Sequence, residues 1–204
     1  MDDIIKELNL DSGMTPADYW YYKGLKERTL ILNDEVTENI VEDIILPMKQ
    51  MEKEYLTVDA EAQTKIEPIH LYINSIGGSV LDGMVLCDFI DTIQCPLVVE
   101  VLGCAMSMGM HFLAAGGKNP HVTRVAHRFS TGLIHAGSIT LNGDARKVKQ
   151  FAKFDDKYKD IMKEFFLSRT TISEEEYTKH EDEEWYLTAQ EMLDLGIVDK
   201  ILEQ

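Results

Sequence analysis

A serine stands at position 107 within Gly103-Cys104-Ala105-Met106-Ser107-Met108-Gly109, between an apolar β-like run and the start of a helix. A serine at a strand-to-helix turn is exposed, and the backbone amides beside it point outward from a helix N-terminus. Amides so placed can stabilise an oxyanion, so the position suits a nucleophile. The α/β-hydrolase elbow uses this geometry, but its G-x-S-x-G spacing is absent. From position alone, Ser107 is either a nucleophile or simply the cap of the following helix. A second amide-rich turn, Gly77-Gly78, follows the strand-like run Ile69–Asn74. On adjacent parallel strands, two such turns would face each other at the carboxyl ends, where α/β sheets place ligands. His135 closes Gly132-Leu133-Ile134-His135 and is a candidate general base, although a lone histidine after an apolar strand is more often structural. His70, His111, His121, His127 and His180 show no H-E-x-x-H and no ligand spacing, so no metal is expected.

The elements that must position these residues alternate between strand and helix. Thr29–Leu32 reads as a buried strand, and Asn33-Asp34 as a turn. Thr37 is a plausible N-cap for a helix over 38–55, where Ile40, Ile44, Met48, Met51 and Tyr55 recur at helical spacing. Residues 56–68 read as a surface loop and 69–74 as the second strand. Ser79 can cap a helix over 80–93, 96–101 is a third strand, and the small-residue turn 103–109 opens a helix ending near Gly116-Gly117. Short strands at 121–125 and 131–135 complete an α/β domain with largely parallel strands and right-handed crossovers. After His135 the chain turns extended and Gly-marked. A long helix then covers 144–168, with Val148, Phe151, Tyr158, Met162 and Phe165 as its apolar stripe. Ser173–Glu176 and Thr188–Glu191 read as capping boxes, Gly196 as a helix stop, and Ile197–Leu202 as a closing strand. Near the start, Ile4, Ile5, Leu8 and Leu10 suggest an amphipathic turn that Asp11-Ser12-Gly13 and Thr15-Pro16 interrupt; the aromatic cluster Tyr19–Tyr22 suits packing against the domain or a neighbouring subunit.

The 204 residues are 45% hydrophobic, enough for one domain with a core that needs neither disulfide nor metal. The net charge of −16 argues against nucleic acid and against an anionic membrane as partners. Cys87, Cys95 and Cys104 are odd in number and form no CxxC, as expected of reduced core thiols; Cys104 is the one near the candidate nucleophile. No apolar run reaches membrane-spanning length, and the acidic N-terminus resembles neither a secretory signal nor an organelle presequence, so a cytoplasmic location is expected.

Taken in order, these motifs resemble the proteolytic subunit of the Clp protease family. Leu71–Val80 is similar to its Gly-rich motif, Gly103–Gly109 to its nucleophile motif, and Leu133–His135 to its histidine motif. Leu25–Leu32 resembles its first strand and approach, and Tyr186–Ala189 followed by Leu195–Asp199 its C-terminal signature. The resemblance implies an α/β fold of crotonase-like repeated β-β-α units with a protruding strand-helix handle. Its parts would be an N-terminal segment over 1–24, axial and flexible, a head over 25–136 with 185–204, and a handle over 137–184. It implies a serine endopeptidase with Ser107 as nucleophile, His135 as base, and the Gly78 and Met108 amides as oxyanion hole, working without a cofactor. It further implies a homo-oligomer of two stacked heptameric rings that receives unfolded polypeptide from a hexameric ATP-driven unfoldase. Tyr72, with apolar residues of the 80–93 helix, would contribute to the docking pocket for that partner, unless it is ordinary core packing.

The departures matter. The family usually has proline where this chain has Ile76, Gln-Pro where it has Ala136-Gly137, and alanine where it has Met106. Its third triad residue is an aspartate, and Glu184 stands at that position, with Asp182 and Glu183 beside it. Glutamate can orient an imidazole with one more methylene of reach. A small shift would bring in Asp182 instead, or the loop is only a solvated acidic surface. Two other readings remain open: a non-catalytic Clp-like subunit, and an acyl-CoA enzyme of the crotonase fold, which needs no serine nucleophile.

Overall fold

The computed structural model describes residues 15–137, 143–180 and 183–202. Strand β2, Ile69–Ser75, buries Ile69, Leu71, Ile73 and Ser75 and half-covers the residues between them, the period-two signature of a pleated strand. It runs parallel to β1, Thr29–Leu32, on one side and to β3, Leu97–Met106, on the other. Beyond β3 lie β4, Val122–His127, and β7, Lys200–Leu202, giving the order β1-β2-β3-β4-β7. Off this path, β5, Thr131–Ile134, pairs parallel with β3, and β6, Trp185–Thr188, pairs antiparallel with β5. The ten residues of β3 therefore serve two layers: 97–101 pair with β4, and 104–106 pair with β5.

Helices cover this sheet. In chain order they are α1, Pro16–Lys26; α2, Leu46–Thr57; α3, Ala60–Gln63; α4, Val80–Thr92; α5, Met108–Ala115; α6, Ala145–Leu167; α7, Glu174–His180; and α8, Ala189–Asp194. Every residue of α5 is buried, as its apolar composition on all faces requires. By contrast α6 buries only Phe166 fully and leaves Phe151, Phe154 and Ile161 exposed. Asn119 seals the C-terminus of α4, its Nδ2 donating to the carbonyls of Ile90 and Ile93 at 3.0 and 2.9 Å. Arg169, just past α6, forks onto Asp91 of α4 at 3.1 and 2.5 Å and so ties the base of the long helix to the core.

Several boundaries differ from the sequence reading. Thr15-Pro16 starts α1 rather than interrupting a helix, because Thr15 and Asp18 form a capping box and proline fits the first turn. Tyr19 is buried while Trp20 and Tyr22 stay exposed. Thr37 makes no side-chain cap. The expected 38–55 helix opens instead as a π-turn over Val41–Ile45 before α2. Pro47 has no N–H to give the Asp43 carbonyl, which Tyr21 Oη approaches at 3.5 Å. The loop expected over 56–68 contains α3, capped by Asp59. Pairing with β5 extends β3 to Met106, so the turn expected over 103–109 contracts to Ser107. The closing strand is only Lys200–Leu202. Part of the segment expected as a handle, and the amphipathic turn near the start, lie outside the described residues.

The sheet edge is clasped by one ion pair. Arg124 of β4 donates from Nη2 and Nε to Asp199 at 2.6 and 3.2 Å and from Nη1 to the Gly196 carbonyl at 2.8 Å. The guanidinium is almost wholly buried, whereas Asp199 keeps some solvent. Replacing Asp199 by alanine leaves donors of that buried cation unpaired, which typically costs about 1–3 kcal/mol. Asp199→Ala should therefore lower the unfolding free energy, read from urea titration, by that amount. A shift below about 0.5 kcal/mol, the range of an ordinary surface change, would contradict the account.

Candidate active site

Ser107 joins the end of β3 to the first turn of α5 with φ 52° and ψ −117°. A non-glycine residue held there is strained by roughly 1–3 kcal/mol and persists only when its surroundings over-determine it. They do. Its N–H donates to the Leu133 carbonyl of β5 at 2.9 Å, and its own carbonyl accepts from Met110 N at 3.0 Å and His111 Nδ1 at 3.2 Å. The hydroxyl makes no capping bond to the helix it precedes, so the helix-cap reading of this serine loses its basis. Among the described residues, Oγ makes no hydrogen bond.

The Gly77-Gly78 turn abuts this residue. Gly77 has φ 98°, and a Cβ on it would stand 2.7 Å from Ser107 Cβ and 2.8 Å from the Met106 carbonyl, so only glycine permits the approach. Val36 straps the turn from the far side: its N–H donates to the Gly77 carbonyl at 2.7 Å, and its carbonyl accepts from Ser79 N at 2.8 Å. In such a parallel bridge the amide of Gly78 itself is left off the strap. Buried Ser75 shapes the turn from within, donating to the Asp34 carbonyl at 2.6 Å and accepting from Gly77 N at 3.1 Å. Met108 opens α5 with its side chain fully buried against Gly83 of α4 and its amide at the helix start.

His135 follows β5 directly. Gly78, Ser107 and His135 line one cavity of about 320 Å³, whose opposite wall is the aromatic face of α6: Phe151, Phe154, Tyr158 and Met162. Phe154 packs on Phe151 and Tyr158 with ring centroids 6.0 and 5.5 Å apart. An apolar wall facing a few convergent polar groups is the usual build of a ligand site. Among the described residues, no hydrogen bond joins Ser107 to His135. Tyr72 lies elsewhere, on β2 between Ile31 and Glu100, with its phenol raised by burial and by the Glu100 carboxylate. Cys104, half-buried beside Asn74, is pushed up by burial and stays a thiol rather than a rival nucleophile.

Ile134 of β5 pairs with Trp185 of β6 as the last pair of the register, and His135 and Glu184 are the next residues beyond it. Glu184 accepts a 2.6 Å bond from Tyr186 Oη, two residues along its own strand. Asp182, the alternative acid, lies outside the described residues. Among the described residues, no three His, Cys, Asp or Glu side chains gather as a metal site.

Sequence reasoning missed Val36, Ser75, Tyr186 and His111. The first pairs across some forty residues of chain and leaves no local trace. His111 did leave one, since it stands one helical turn beyond Ser107. It is buried against Phe166, ring centroids 5.3 Å apart. Burial pushes its imidazole down to about 4; the Ser107 carbonyl opposes that shift and nearby His135 adds to it.

Comparison with known proteins bears on this geometry. The Clp protease family model matches residues 13–204. ATP-dependent Clp protease proteolytic subunit 2 of Corynebacterium diphtheriae is 32% identical over 208 residues, covering 100% of this chain and 96% of its own. Proteolytic subunit 2 of Prochlorococcus marinus strain MIT 9312 is 33% identical over 86% of this chain and 81% of its own. Proteolytic subunit 3 of Parasynechococcus marenigrum is 33% identical over 86% and 82%.

The depressed His111 gives stability a pH dependence whose sign is fixed. Below its ordinary value near 6.5 the unfolded chain takes a proton that the fold refuses. The contribution is intact above 6.5 and is lost as pH falls toward 4, by roughly 3 kcal/mol in all. Chemical denaturation between pH 7 and 4 should show His111→Phe losing less stability than wild type over that interval. Parallel curves would contradict it.

Proposed function

The chain belongs to the Clp protease family, and from that membership we propose that it is a serine endopeptidase acting as the proteolytic subunit of a self-compartmentalised protease. The observation that carries the reading is the strained, uncapped Ser107, held against Gly77 and sharing one cavity with His135. In this mechanism His135 takes the Ser107 Oγ proton as the oxygen attacks a peptide carbonyl. The Gly78 and Met108 amides receive the oxyanion, and the imidazolium returns its proton to the leaving amine. Water then repeats the sequence on the acyl-enzyme. Glu184 turns from Tyr186 to His135, where it fixes the tautomer and stabilises the imidazolium. The apolar wall of α6 receives the substrate side chain next to the scissile bond.

The remaining parts of the proposal follow the family. The segment 137–184 is the handle, and exposed Ile161, outside the cavity wall, supplies apolar surface for contact between two stacked seven-membered rings of this subunit. Tyr72 contributes to a docking pocket for a hexameric ATP-driven unfoldase that delivers unfolded polypeptide, and the assembly works in the cytoplasm. The second reading is a subunit that assembles without cleaving. What favours it is the bond holding Glu184 to Tyr186.

A fluorophosphonate probe separates the two readings. The purified protein should be labelled at Ser107 and lose peptidase activity in step, while Ser107→Ala assembles but neither reacts nor cleaves. Wild type that resists the probe at high concentration would establish the non-cleaving reading.

Glu184→Gln should lower kcat by up to about 10⁴-fold, the loss expected when the histidine takes the wrong tautomer. Tyr186→Phe removes the competing donor and should leave kcat at or above wild type. Near-full activity in Glu184→Gln with a crippled Asp182→Asn would move the acid to Asp182. Near-full activity in both would indicate a Ser-His dyad.

A further inference from the structure

We propose that His111 is a positioning residue: its Nδ1–H holds the Ser107 carbonyl so that the peptide between Ser107 and Met108 presents the Met108 N–H to the reacting carbonyl of the substrate. The inference rests on the proteolytic reading above. A trans peptide is planar, and its C=O and N–H point in opposite directions. Whatever fixes the Ser107 carbonyl therefore aims the Met108 amide. That carbonyl accepts from Met110 N at 3.0 Å and from His111 Nδ1 at 3.2 Å, so both of its lone-pair sites are occupied. The Met110 bond is the ordinary closure of a first helical turn. The His111 bond is the additional restraint, reaching back one turn to a residue held at φ 52° and ψ −117°.

The chemistry of the ring supports the role. A carbonyl only accepts, so Nδ1 must carry the proton. Burial keeps the imidazole neutral, which leaves Nε2 as a bare acceptor. Nε2 is buried and has no hydrogen-bond partner among the described residues, and the ring packs against Phe166. An aromatic hydrocarbon would fill this volume without stranding a buried lone pair. What histidine offers in its place is the Nδ1 donor. With Nδ1 committed to the carbonyl and Nε2 shut away, His111 is not a reserve base for Ser107.

The test uses the full-length protein, a fluorogenic peptide, and a matched pair of ligands, a peptide aldehyde and the corresponding alcohol. The aldehyde adds Ser107 Oγ to its carbonyl and places the resulting oxygen in the oxyanion site; the alcohol only binds. His111→Phe should lower kcat by about 10²-fold at near-constant KM, the lower range for losing one oxyanion donor. It should weaken the aldehyde in parallel and leave the alcohol within about threefold of wild type. His111→Asn, whose amide nitrogen can stand where Nδ1 stands, should restore most of both. If His111→Phe does not assemble, His111→Gln, with its amide one carbon further out, replaces it: low kcat beside a near-normal His111→Asn supports the role, and equal kcat overturns it. Wild-type kcat in His111→Phe, or an equal loss of aldehyde and alcohol binding that His111→Asn does not rescue, overturns it too. Wild type no more active than Ser107→Ala would instead overturn the proteolytic reading, and this inference with it.

Discussion

The backbone bond from Ser107 N–H to the Leu133 carbonyl, 2.9 Å long, is the constraint on which the site depends. It fastens the end of β3 to β5 at the point where the chain leaves β3 for α5. His135 lies two residues beyond Leu133, so the same bond sets the distance between candidate nucleophile and candidate base. It also explains the length of β3. A shorter strand would end at the β4 pairing and never reach the layer in which β5 and β6 lie. The β5–β6 register ends at Ile134 and Trp185, one residue short of His135 and Glu184.

Such a turn is stable only because its neighbours leave room for it. Ser107 occupies a backbone region that favours glycine, and its closest neighbour across the gap is a true glycine whose missing Cβ admits it. Val36 and Ser75 hold the Gly77-Gly78 turn through backbone and hydroxyl bonds, so the strain is distributed over three segments rather than borne by one. The fully buried α5 then anchors the turn from below. This is local strain maintained by packing, of the kind that clusters at functional sites.

Beside this rigid centre stands a softer periphery. The Glu184 carboxylate is bonded to an exposed tyrosine rather than to His135, and the aromatic wall of α6 that closes the cavity is itself half in solvent. Both are elements that contact with another subunit or with substrate could reorganise at small energetic cost, because neither is fixed by the core.

What the sequence by itself determined is local. β2 was legible because its apolar residues alternate, α4 because Ser79 caps it, α6 because its apolar stripe marks it, and α8 because Thr188 and Glu191 form a capping box. Ser107 and His135 were legible as candidates because ordered motifs surround them. The α2 boundary was misread because the consequence of Pro47 depends on where the Asp43 carbonyl goes. Tertiary structure alone decided that Val36 straps Gly77 and that the Ser107 N–H meets the Leu133 carbonyl. The physical reason is that propensity, capping and periodicity act within a turn or two of the chain. The contacts that aim the Ser107 turn depend on which strands become neighbours, and only the closed sheet settles that.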